Sequence, residues 1–121
     1  ENEKYLFTGD TGIPALNRVL DHCDANQIDI SNIKFMQVPH HGSKRNISPS
    51  ILNSIKCKTA YISASKDSPK HPAKKVINAY IRRGAKVYTT EGTGLNHHVN
   101  TISRNGWSAA TPQPFYDNVE E

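Results

Sequence analysis

Four short apolar runs, "YLFTGD" (5–10), "IKFMQV" (33–38), "TAYISA" (59–64) and "AKVYTT" (85–90), are separated from one another by stretches long enough to hold a helix. After the first run, apolar residues fall at Leu16, Val19, Leu20 and Cys23, a helical spacing that accepts Pro14 in its first turn. Ser48-Pro49 reads as an N-cap followed by proline at the first helical position, opening a short helix with Ile51, Leu52 and Ile55 inward. Pro72 opens a third helix with a stripe of Val76, Ile77, Tyr80 and Ile81, which Gly84 closes. The order is β-α-β-α-β-α-β. Strands joined by connections of helix length belong to one sheet with helices packed on it, so the class is α/β. A chain of 121 residues suffices for one core. The body spans 1–110; the tail, 111–121, carries Pro112 and Pro114 and reads as extended or disordered. Between them "LNHHVNTISRNGWS" is weakly patterned, one or two strands around Asn105-Gly106.

Composition narrows the function classes only slightly. Fifteen Lys and Arg against eleven Asp and Glu give a net charge of +4, which permits a polyanionic partner and fits a solvated basic surface equally well. Cys23 and Cys57 match no zinc-finger or redox spacing; free thiols in a reducing, cytoplasm-like compartment are expected, with one disulfide as the alternative. No apolar run reaches the length of a membrane span. The chain enters a strand-like run by Lys4, as if in mid-domain.

In an open α/β sheet, ligands gather outside the carboxyl ends of the strands. The first run ends in Thr8-Gly9-Asp10 and the second in Pro39-His40-His41-Gly42-Ser43-Lys44. The third ends in Ser63, Ser65 and Lys66, with its loop running on to Lys70 and His71, and the fourth in Thr89, Thr90 and Glu91. A carboxylate with imidazoles on one rim has the donor chemistry of a borderline metal site. Each residue also has a plainer role. Asp10 can cap the next helix, and a lone His71 before proline is ordinarily a loop residue. His22, Trp107 and the His97-His98 pair read as structural. Adjacent histidines are harder to dismiss, since one extended backbone does not bury both rings on the same side.

Taken in order, "YLFTGDTG", "MQVPHHGSKRNISPSILNSI" and "AYISASKDSPKHPAKKVINAYIRRGAKVYTTEGTG" resemble the later half of a metallo-β-lactamase-fold hydrolase. The similarity is greatest to the branch holding the C-terminal domain of ComEC-type DNA-uptake proteins and related phosphodiesterases, and it covers about residues 4 to 95. The resemblance implies half of an αββα sandwich, with helices on a mixed sheet. It makes Asp10 the carboxylate bridging two divalent ions, zinc or manganese, and one of His40 and His41 a metal ligand. His41 is preferred as the ligand, with His40 facing a substrate phosphate. His71 then faces the substrate or assists the leaving group, Ser43 and Lys44 flank the site, and Lys66 and Lys70 join Lys44 in stabilising phosphoryl charge or binding a nucleic-acid backbone.

The family's His-x-His-x-Asp-His motif is missing from this chain. A catalytic zinc ordinarily takes three protein ligands and water, so this chain alone is expected to be inactive. Either it is the later part of a two-metal phosphodiesterase or nuclease whose N-terminal half completes the site, or it is a non-catalytic interaction module that keeps the fold. A lactamase, lactonase or thioester hydrolase ranks lower, because those branches generally lack the HHGS and His-Pro loops.

Overall fold

The computed structural model describes residues 3–95, 97 and 105–120. Its elements are β1 (Tyr5–Leu6), α1 (Ile13–Ala25), β2 (Ile33–Gln37), α2 (Pro49–Ser54), β3 (Cys57–Ile62), α3 (Lys74–Arg82) and β4 (Lys86–Thr89). The strands stand in the order β1-β2-β3-β4, and every neighbouring pair is parallel. Where a mixed sheet was expected, the described strands all run one way, because each connection crosses back over the sheet. Four strands in one direction bring four exits to a single rim.

The three helices share one side of the sheet. Leu16 of α1, Ile51 and Leu52 of α2, and Val76, Ile77 and Tyr80 of α3 belong to one core cluster with Met36, Ala60, Ile62 and Val87. Those four strand residues are 0 % exposed, and burying a side chain the size of Met36, Ile62 or Val87 contributes roughly 1.5–3 kcal/mol. The Tyr80 hydroxyl donates to Met36 Sδ at 3.6 Å. Cys23 and Cys57 are free and buried, and burial pushes the Cys57 thiol up to about 12.

Alternation along the strands sends Phe35, Tyr61 and Tyr88 to the opposite face. There Phe35 and Tyr61 meet edge to face at 4.7 Å and Tyr61 and Tyr88 at 5.6 Å, while Tyr5 stacks on Phe35 at 5.9 Å. His97 lies against the same cluster, 5.0 Å from Phe35. Phe7 remains 70 % exposed. Among the described residues no helix covers this aromatic face. The strands expected around Asn105-Gly106, and His98, fall largely or wholly outside the described residues.

Local signals resolve as follows. The Ser48 side chain accepts from the Ile51 N–H, capping α2 as its sequence predicts. Gly84, at φ +88, lies just past Arg83 at the end of α3. Helix α3 begins two residues later than Pro72 suggests: Ala73 is its N-cap, and the Ala73 N–H donates to Gly42 O at 3.0 Å. Strand β1 is shorter than its apolar run, since the chain turns at Thr8 to bind Gln37. Residues 111–120 form neither helix nor strand. No helix among the described residues is long and apolar enough to cross a membrane.

Candidate functional site at the strand exits

The exits of β1 and β2 are stitched together before any chemistry is considered. Gln37 Oε1 accepts from the N–H groups of Thr8 (3.1 Å) and Gly9 (2.9 Å), and the Thr8 hydroxyl donates to Gln37 O. The His40 N–H donates to Gly9 O at 2.8 Å. Asp10 follows directly and is exposed in the turn. It does not cap α1, whose N-cap is Gly12 with no side-chain bond, so of its two plainer roles, helix cap or Asx-turn, the first falls away.

Beyond the buried Pro39, the chain makes a left-handed turn. His40 (φ 48), His41 (φ 55) and Gly42 (φ 76) lie consecutively in the left-handed region. For a residue with a Cβ this conformation costs about 1–2 kcal/mol, and such outliers concentrate where a side chain must be aimed. Glycine is required at the third position on a second ground. A Cβ there would stand 3.0 Å from Pro72 Cβ and 3.1 Å from Ile62 Cγ2, so the turn packs directly on the His71-Pro72 loop. The His71-Pro72 peptide is cis.

This turn gathers three imidazoles. Ring centroids of His40 and His71 are 5.6 Å apart, those of His40 and His41 5.9 Å, and those of His41 and His71 6.5 Å. The Asn46 amide nitrogen donates to Thr11 O, which turns Asn46 Oδ1 toward His40 Nδ1 at 3.0 Å. An amide oxygen only accepts, so Nδ1 of His40 carries the hydrogen. His41 Nδ1 lies 2.7 Å from Ser63 O, another pure acceptor, and the same conclusion holds. With Nδ1 held this way, Nε2 is the nitrogen left to accept, the arrangement that metal-ligating histidines adopt when an outer oxygen holds the other nitrogen. His71 differs. Its Nδ1 is buried with no hydrogen-bond partner among the described residues. Burial, and next the neighbouring His40, His41 and Lys70, hold the His71 imidazole below the ordinary histidine range.

His40 and His71 open into a cleft of about 630 Å³, with Ser43, Lys44, Lys70 and Lys74 among its other walls. Five of the expected site residues, His40, Ser43, Lys44, Lys70 and His71, thus line one cleft, while Asp10 and His41 are not among its walls. The Ser43 residue is buried and its hydroxyl accepts from the Arg45 N–H, so it also shapes the turn. Lys66 is elsewhere: its stem runs beside Gly92 at the β3 and β4 exits, outside the cleft. The residues that sequence reasoning passed over are Asn46, which aims His40, and Lys74, Tyr116 and Glu120, which complete the cleft. Asn46 carries no signal in sequence, because its role depends on a Thr11 carbonyl supplied 35 residues away.

Among the described residues no three His, Cys, Asp or Glu side chains form a group able to hold a metal ion. The chemistry of the donors fits part of a metal site, two imidazoles with Nε2 presented next to a carboxylate-bearing turn, and not a complete one. The chain matches no protein-family model, no curated protein and no solved structure.

Proposed function

We propose that this chain forms one half of a metal-dependent hydrolase acting on phosphodiesters such as nucleic acid, as the C-terminal half of a metallo-β-lactamase-like sandwich. The observation that carries the reading is the left-handed His40-His41-Gly42 turn, in which Nδ1 of each histidine is held by an oxygen and whose His40 N–H is bonded to Gly9 O beside Asp10. Asp10 and His41 would hold metal in the complete site. Divalent ions held there, zinc or manganese, would supply an acidified water and charge stabilisation for phosphoryl oxygens. This chain's own part is to bind and orient. His40 and His71 face the substrate from the cleft wall, and Lys44 and Lys70 attract its phosphate groups. Lys66, outside the cleft, would reach at most a more distant phosphate.

A bank of lysines supports an anionic substrate over a neutral lactam, lactone or thioester, whose reactions need no such charge. The aromatic face supports the existence of a second half. A contiguous patch of Tyr5, Phe7, Tyr61 and Tyr88 is the kind of surface that another sheet covers, and that sheet would bring the remaining ligands. The test is hydrolysis of bis(p-nitrophenyl) phosphate with Mn²⁺ or Zn²⁺ by protein carrying both halves. Asp10→Ala and His41→Ala should each lower the metal-dependent rate by roughly 10²-fold or more, the upper range seen for disturbing a metal shell. Wild-type rates in folded Asp10→Ala protein would overturn the reading.

A further inference from the structure

Two residues of the tail, Tyr116 and Glu120, line the cleft. The tail's course is set by three anchors. The Gln113 N–H donates to Val87 O at 2.7 Å, so the tail leaves along β4. Asn78, buried in α3, exchanges two hydrogen bonds with Tyr116: its Nδ2 donates to Tyr116 O (2.9 Å), and its Oδ1 accepts from the Tyr116 N–H (2.8 Å). Finally, Glu120 Oε1 accepts from the Lys75 N–H at 2.7 Å. Lys74 Nζ sits 5.1 Å from the Tyr116 ring centroid and the Arg82 guanidinium 5.0 Å from that of Phe115, so cation–π contacts secure the same strap.

Glu120 thus lines the same cleft as four cations, Lys44, Arg45, Lys70 and Lys74, and a second carboxylate, Glu91. No acidic residue stands in the first turn of α3, and Ala73 has no capping side chain, so the anion at this end of the cleft comes from a residue 45 positions later. A carboxylate oxygen and a phosphoryl oxygen ask for the same partners, N–H donors and ammonium groups.

We propose that the strap is an autoinhibitory element: the Glu120 carboxylate occupies the position in the cationic cleft that a phosphate group of the substrate takes, and the strap yields when the cleft loads. This rests on the phosphodiester reading and adds regulation to it. Asn78 fixes the strap while Glu120 is the exchangeable part, since one backbone donor holds it at the cleft mouth.

Binding of inorganic phosphate to this chain, without metal, tests it through the backbone amide resonances of Ala73, Lys74 and Lys75. Glu120→Gln keeps an oxygen acceptor and removes the charge; it should tighten phosphate binding by roughly threefold, the scale of one like charge in a partly solvated site. Deletion of residues 118–121 should act in the same direction, with the phosphate-induced shifts remaining at Ala73–Lys75. Unchanged or weaker phosphate binding in both variants, or shifts mapping away from these amides, would overturn the strap. Because no metal is present, a negative hydrolysis assay leaves this result standing. Conversely, an active hydrolase whose phosphate affinity ignores Glu120 removes the strap alone.

Discussion

On its helix side the sheet presents Met36, Ala60, Ile62 and Val87 to three helices, and all four are fully buried. On its other side it presents Phe35, Tyr61 and Tyr88, which pack mainly against one another and against Tyr5, Phe7 and His97. Both faces are apolar, yet they are built differently. The first is a close-packed aliphatic core whose every methylene has neighbours, and it holds the fold together. The second is a set of large flat rings in which Phe35 is buried while Tyr5 and Phe7 at its margin are exposed. Among the described residues, the close-packed face is the one expected to carry most of the stability.

The contrast breaks most visibly at Met36. Met36→Ala removes a 0 % exposed side chain between the sheet and Tyr80 and should cost about 2–5 kcal/mol in urea denaturation. A loss near zero would mean that the helix face is not the stabilising one. Gly42→Ala comes next, at about 1–3 kcal/mol, since a Cβ at φ +76 is strained and meets Pro72 and Ile62. The same variant should move the His40 and His41 imidazole signals, because the turn that aims them must open.

A smaller effect follows from Cys57, in the same core. Its folded value is raised to about 12 from 9.0, so the unfolded chain ionises first and stability is lost as pH rises above 9.0. Stability should fall by about 1 kcal/mol per pH unit there, and Cys57→Ala should remove that part of the slope. Iodoacetamide at pH 8 should leave native Cys57 unmodified. The smallest effect belongs to the aromatic face: Phe7→Ser, at a 70 % exposed position, should change the stability of this chain by less than about 0.5 kcal/mol. A loss of 2 kcal/mol or more would show that Phe7 already belongs to a closed core.

The alternation of strands and helices was legible because periodicity is a local property, and the Ser48 cap and Gly84 stop were legible for the same reason. Proline misled at Pro72: it marks the loop that packs on Gly42, and the helix starts after Ala73. The site was legible in its residue types and not in its geometry. Nothing in "PHHG" announces that two histidines adopt a left-handed backbone, because that conformation is imposed by Pro72, Ile62 and the Gly9 carbonyl, all distant in sequence. The tail was the least readable segment. Prolines removed any periodic signal, and its anchors on Asn78, Val87 and Lys75 exist only once α3 and β4 are in place.

The central proposal is that His41 serves as a metal donor on the rim, with His40 beside it facing the substrate. It is tested most directly by the imidazole ¹H–¹⁵N spectrum of protein carrying both halves during a Mn²⁺ titration. Paramagnetic broadening should appear first at Nε2 of His40 and His41, with His22 on the far exposed surface of α1 as the internal reference. Broadening that reaches His22 as early as the pair, or that spares the pair throughout, would contradict the account.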